Sequence, residues 1–256
     1  MKLKKLTINS ENGTFLYTGT KPGKVGKYIL LPGDPFRTDI IKDYFDAPRL
    51  VAHSREYKTW TGYLDGEMVS VCSTGIGGPG AAIAIEELIA CGAETFIRVG
   101  TAGRLADPSQ DLSIYGAIIT GSVRDEDLTR HYIPKEYPAI ANRFIVEALS
   151  QVAKKKNLHY IEGIAHCKDS YFGATDPDSL PYGQILKTRV QMWKDANVIA
   201  TEMETAALFI ISQIRDCRAG AVVAFSDEQK VYHVTEAIEV AIDALRTIIK
   251  QDKETK

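Results

Sequence analysis

Strand-like and helix-like segments alternate from one end of this chain to the other, and that alternation restricts the fold more than any other feature. Short apolar or β-branched runs at 28–31, 67–73, 95–100, 117–121, 160–166, 198–201 and 219–225 predict strands. Between them, 38–44, 81–91, 141–155, 204–213 and 235–250 have helical character. The last carries Ala237, Ile238, Ala241, Leu245 and Ile248 at helical spacing. Such a pattern belongs to an α/β protein with a central, mostly parallel sheet. No internal repeat, linker or low-complexity stretch divides the 256 residues, so one domain is expected, with 1–25 as an N-terminal extension. The Pro- and Asp-rich stretch 176–183 predicts a loop, and 251–256 a frayed end.

Several function classes are excluded early. A net charge of −2 gives no basic field, so nucleic acid is not an expected partner. No apolar run approaches the ~18 residues of a membrane helix, and the first residues lack a signal peptide's apolar stretch. Cys72, Cys91, Cys167 and Cys217 lie far apart, and the five histidines have no ligand spacing, so no metal site is expected. Unpaired, apolar-flanked cysteines suit a reducing cytoplasm.

Three arginines, Arg37 in LPGDPFR, Arg55 in AHSREYKTW and Arg98 in TFIRVGTAG, stand beside predicted strand ends or turns. Any one of them could be a surface ion-pair partner. Converging on one point, they would make a receptor for a small dianion, each guanidinium offering a planar fork of donors. The run Gly75-Ile-Gly77-Gly78-Pro-Gly80 satisfies the dinucleotide-binding glycine pattern, but the strand after it has no acidic residue at its far end and carries Arg98 instead. A nicotinamide or flavin cofactor is therefore not expected. The glycines read as permitting close backbone approach near a ligand, at a helix start that favours an anion.

These motifs follow one another in a familiar order. LPGDP (31–35), SREYKTW (54–60), VCSTGIGGPG (71–80), RVGTAG (98–103), SVRDEDLTRHYIPKEYPA (122–139) and TEMETA (201–206) together resemble the nucleoside phosphorylase family, most closely its uridine phosphorylase branch. The resemblance implies a single domain with a central twisted mixed β-sheet flanked by helices. It also implies reversible phosphorolysis of a nucleoside to free base and ribose 1-phosphate, with inorganic phosphate as co-substrate and no cofactor. A homo-oligomer, a hexamer built from dimers, is implied as well.

By the same resemblance, phosphate would contact Gly33, Arg37, Arg98 and Thr101 of one subunit and Arg55 of a neighbour. Glu204 would accept hydrogen bonds from ribose hydroxyls, with Met203 against the sugar and Glu202 beside it. A carboxylate suits both the hydroxyls and an oxocarbenium-like transition state. In the base pocket, Tyr171 or Phe172 can stack on the ring. The positions where uridine phosphorylases carry a Gln and an Arg hold Thr175 and Pro177 here. Lys168 is then the candidate for neutralising charge on a departing uracil. Asp227 resembles instead the aspartate that purine-cleaving relatives use at N7, which keeps purine nucleosides open as substrates. The family's N-terminal sugar-contacting histidine is replaced by Phe15, Leu16 or Tyr17, and Gly80 stands where relatives have a serine closing a potassium site, so that ion is left open. A catalytically silent nucleoside-binding protein is the alternative of a different class.

Overall fold

Continuous apolar runs, whose successive side chains point to opposite sides, build this molecule around one sheet with two buried faces. The computed structural model describes residues 13–105, 113–124, 128–226 and 232–255. Strand β1 (Tyr28–Leu31) leads through α1 (Pro35–Ile41) to a hairpin of β2 (Asp46–Ser54) and β3 (Tyr57–Leu64), followed by β4 (Glu67–Cys72) and α2 (Gly78–Cys91). The chain continues through β5 (Thr95–Thr101), β6 (Gly103–Arg104), β7 (Gly116–Arg124), β8 (Ala139–Ile140) and α3 (Arg143–Lys155). It then forms β9 (Tyr160–Cys167), the short α4 (Tyr171–Thr175), α5 (Gly183–Asp195), β10 (Ala200–Glu202), α6 (Thr205–Ile214), β11 (Arg218–Ala224) and α7 (Val234–Glu254).

Ile29 and Leu31 of β1, Phe96 of β5, and Ala221 and Val223 of β11 face one core layer, which α2 and α6 cover. Their neighbours Tyr28 and Leu30, Ile97 and Val99, and Val222 and Ala224 face the opposite layer, with α3 and α7. Successive strand residues point to opposite sides, so a strand buried on both faces needs apolar residues at every position. That is why these runs read as continuous apolar stretches. All five apolar positions expected on the last helix lie in the second layer.

The strand order is β2-β3-β4-β1-β5-β11-β7-β9-β10-β6, with β8 on β7. Pairing is parallel for β1 with β4 and β5, for β5 with β11, for β7 with β9 and for β9 with β10. It is antiparallel for β2 with β3, β3 with β4, β7 with β11, β7 with β8 and β6 with β10. The sheet is therefore mixed rather than mostly parallel.

The structure adds to or corrects the local expectations at four places. The hairpin β2–β3 has no counterpart in the sequence reading because β2 is an edge strand. It is exposed or half-exposed along its length and carries Pro48 at a register shift, so it lacks the alternation that marks a strand. Helix α5 also escaped notice. No side chain caps its start, and Ile185 and Met192 are exposed, which blurs its apolar stripe. Within the expected loop 176–183, Pro177–Ser179 form a single 3-10 turn. The expected fraying from residue 251 is not found, since α7 runs through Glu254. Asp252 there accepts hydrogen bonds from Tyr28 Oη at 2.8 Å and from Arg218 Nη1 at 2.8 Å, and the Arg218 bond holds its carboxyl below the ordinary range. At the other end, Phe15 is buried, and Glu87 accepts from the backbone of Tyr17 and Thr18, pinning residues 15–18 to α2. Among the described residues, no helix is long and apolar enough to cross a membrane.

Candidate active site

The continuation of β5 into β6 makes the site. Gly103 of β6 pairs with Thr201 of β10, which brings the end of β5 against the end of β10. A cavity of about 700 Å³ opens there. Gly33 and Arg37 reach it from the turn after β1 and from α1, Arg98 and Thr101 from β5, and Lys168 from the residue after β9. Tyr171 enters from α4, and Glu202, Met203 and Glu204 from β10 and the turn into α6. Residues far apart in sequence, each placed by a strand end, thus line one volume.

Arg98 is the centre of its charge. Its residue is 5% exposed, and its guanidinium lies over Gly100, where a Cβ would come within 3.1–3.2 Å of the Arg98 side chain. Glycine at 100 leaves the guanidinium its place. Nη2 donates to Glu204 Oε2, and Nε lies 3.4 Å from Glu202 Oε2. Nε and Nη1 make no hydrogen bond to the described residues; Nε faces the Glu202 carboxylate, and Nη1 is the guanidinium's remaining donor. Burial opposes the Arg98 charge, but Glu204 and Glu202 outweigh it, and the net shift of its pKa is upward. Arg37 donates from Nη1 to the Val99 carbonyl at 3.3 Å. Its pKa is lowered by burial and then by the like charge of Arg98, so the two cations sense each other across the cavity.

Glu204 is tied at both oxygens. Oε2 meets Arg98, while Oε1 accepts from the backbone N–H of Gly77 at 2.5 Å, at the start of α2. Gly77 has φ of 94°, a conformation costly for any side chain-bearing residue. The anion that the glycine loop favours is therefore the Glu204 carboxylate itself. Burial raises the Glu204 pKa, and Arg98 opposes that shift.

Glu202 lines the cavity but is engaged chiefly on the protein side. Its side chain is fully buried, and it accepts from the backbone N–H of Glu204 at 2.8 Å and of Thr205 at 3.0 and 3.1 Å, and from the Thr205 hydroxyl. Ser122 Oγ lies 2.5 Å behind Thr205 Oγ1. With its lone pairs committed to the first turn of α6 and to Arg98, Glu202 acts as cap and counter-ion.

Lys168 is 7% exposed, and its Nζ donates to Thr201 Oγ1 at 3.1 Å and lies 5.8 Å from the Tyr171 ring centroid. Burial lowers its pKa, opposed by Glu202. Neighbouring His166 is held neutral, its pKa lowered to about 4 by burial and then by Lys168.

Other expected residues lie elsewhere. Thr175 is exposed, outside the cavity lining, and donates to the Tyr171 carbonyl at 3.0 Å. Phe172 is 66% exposed, edge-on to Tyr171 at 5.4 Å and also outside the lining, which leaves Tyr171 as the stacking candidate. Arg55 sits at the tip of the β2–β3 hairpin with φ of 55°, exposed, against the Tyr17 ring at 5.8 Å, and does not reach the cavity of its own chain. Asp227 lies outside the described residues. The cavity also includes Asp34, Glu56, Thr201 and Tyr232, which the motifs did not single out. Of these, Thr201 had a signal in its place immediately before Glu202. Gly80 offers no side-chain oxygen, and its carbonyl accepts from Tyr57 Oη at 3.2 Å.

Sequence comparison assigns the class that this sheet and cavity define. Residues 27–250 match the phosphorylase superfamily, and the chain belongs to that family. Among characterised relatives, the uridine phosphorylase of Treponema pallidum is 38% identical over 248 residues, covering 92% of this chain and 95% of that protein. The uridine phosphorylase of Thermococcus kodakarensis is 38% identical over 253 residues, covering 96% and 90% respectively. A guanosine phosphorylase of Halorubrum lacusprofundi is 36% identical over 201 residues, 78% of each chain.

Proposed function

We propose that this phosphorylase-family enzyme cleaves nucleosides with inorganic phosphate, giving free base and ribose 1-phosphate, and that uridine and deoxyuridine are its preferred substrates. The observation that carries the proposal is Arg98, a cavity-lining guanidinium whose Nη1 makes no hydrogen bond to the described residues, beside Arg37 and hydrogen-bonded to Glu204. Phosphate binds against Gly33, Arg37, Arg98 and Thr101, where charge-assisted bonds orient it towards the anomeric carbon. Glu204 and Met203 hold the ribose, and the Glu204 carboxylate faces the positive charge that develops on the sugar as the glycosidic bond breaks. Tyr171 covers the base, and Lys168 receives the negative charge that leaves with it. The enzyme needs no cofactor under this reading, and its thiols suit a cytoplasmic location.

A panel of uridine, deoxyuridine, inosine and guanosine, each with and without phosphate, tests the assignment. Base release from uridine that requires phosphate, and that exceeds release from either purine nucleoside, is the expected result. Phosphate-independent release would mean hydrolysis, and no release would mean a binding protein. Faster cleavage of guanosine or inosine would move the specificity to purines, the direction in which the Halorubrum relative's name points.

Arg55 serves a neighbouring subunit: it is exposed at the hairpin tip and stands outside the lining of its own cavity, which the adjacent Glu56 reaches. A hexamer of dimers would supply that neighbour. Inactive Arg55→Ala and Arg98→Ala proteins, dissociated and re-associated together, should regain activity, since some mixed sites then lack both lesions. Demonstrated subunit exchange without recovered activity would place Arg55 outside the site.

A further inference from the structure

We infer that Thr201 is a positioning residue that fixes the direction of the Lys168 ammonium in the cavity, an inference that rests on Lys168 taking the departing base's charge. Two ties join Lys168 to β10. Its backbone N–H donates to the Glu202 carbonyl at 2.9 Å, and its side chain folds back so that Nζ donates to Thr201 Oγ1 at 3.1 Å. A lysine side chain has four rotatable methylenes and, untethered, would sample many directions. An ammonium has three donors; the Thr201 bond occupies one and the Tyr171 ring stands over the group, which limits where the other two can point.

Thr201 is itself held. It pairs with Gly103 on one side and His166 on the other, and a Cβ at residue 103 would lie 3.0 Å from its Cγ2. Glycine at 103 thus makes room for the threonine methyl, and a β-branched side chain so confined keeps one rotamer. The chemistry of the partner matters as much as its place. Glu202 and Glu204 are the nearby anions, but Glu202 is engaged by α6 and both sit against Arg98. A neutral hydroxyl orients the ammonium without cancelling its charge, leaving that charge for the base. A carboxylate in the same place would neutralise it.

The charged and titratable surroundings of Lys168 come from several elements. His166 and Cys167 flank it on β9, Glu202 and Glu204 face it from β10 and the following turn, and Tyr171 stands on α4. A second cavity, of about 180 Å³, shares Lys168 with Asp169 and with Arg189 of α5. Thr201→Val leaves all of these groups in place and removes only the acceptor, whose loss favours the neutral amine.

The test measures kcat and KM for uridine and for phosphate across pH in T201V, T201S, K168M and the K168M/T201V double variant. T201V is expected to lower kcat on the order of tenfold through misplacement of the donor, with KM for phosphate unchanged. It should also move the alkaline limb of the kcat profile to lower pH, while T201S, which keeps the hydroxyl, retains the wild-type profile. In the K168M background, T201V should add less than about twofold, as coupled residues do. Should T201V fail to fold, Thr201→Ala carries the same expectations. A wild-type profile for T201V, an equal loss in T201S, or an undiminished effect in the K168M background would overturn the inference. If K168M is crippled and T201V is not, the Thr201 inference alone falls. If K168M cleaves uridine normally, the role of Lys168 falls with it.

Discussion

Arg98→Ala should lose both activity and stability, by amounts that can be separated. The guanidinium is buried with Glu204 on Nη2 and Glu202 3.4 Å from Nε, so its removal strands two carboxylates in the interior. Breaking a buried pair in this way costs about 3–5 kcal/mol, because the remaining carboxylates keep only the neutral donors of Gly77 and the first turn of α6. Part of that cost can be relieved by protonation, since burial already raises the Glu204 pKa. The double variant Arg98→Ala/Glu204→Gln removes one stranded charge and should recover part of the loss in a denaturant melt. Activity should not recover. Phosphate would still lack the donors it needs, and kcat/KM should remain down by roughly two to three orders of magnitude, the scale for loss of a preorganised charge-stabilising group. Near-normal phosphorolysis in a folded Arg98→Ala protein would remove phosphate from this end of the cavity.

The sequence disclosed most where one residue does one thing. Strands buried on both faces are apolar at every position, so the strand runs at 28–31 and 219–225 matched β1 and β11 within a residue. The edge strand β2 was silent because an exposed edge needs no apolar alternation. In the site, Arg37, Arg98 and Glu204 stand in motifs that place them at strand ends or helix starts, and they meet in one cavity. Glu202 shows the limit of that reasoning. Its residue type suits ribose as well as Glu204 does, and only the pattern of hydrogen bonds from α6 reveals a cap and counter-ion. Thr175 shows a related limit: gap-free spacing located it, and the turn of α4 points its hydroxyl back to the Tyr171 carbonyl. The glycine run was legible as a close-approach loop, yet the partner of Gly77 is 127 residues away, a pairing that no local pattern encodes.

Lys168→Met should be the more damaging of two base-site changes for uridine, by something on the order of a hundredfold in kcat for one lost transition-state donor. A departing uracil spreads negative charge over O2, N1 and O4, and the cavity must meet that charge with a cation or a donor. Lys168 is the cation at this end of the cavity, buried, fixed by Thr201 and covered by Tyr171. Burial lowers its pKa, so the ammonium gives up its proton at lower pH than an ordinary lysine, and kcat for uridine should decline on the alkaline side as the neutral amine accumulates. Methionine keeps the side chain's bulk and removes the charge, so that alkaline limb should vanish along with most of the rate. Asp227→Asn should matter far less for uridine, since an ionised carboxylate repels an anionic leaving group. For a purine nucleoside the order reverses: a protonated Asp227 would donate to N7, and Lys168 would become dispensable. Measuring both variants on uridine and inosine therefore distinguishes the two chemistries in one experiment. Should Asp227→Asn prove the crippling change and inosine the better wild-type substrate, the enzyme is a purine nucleoside phosphorylase, and the lysine at 168 serves some other end.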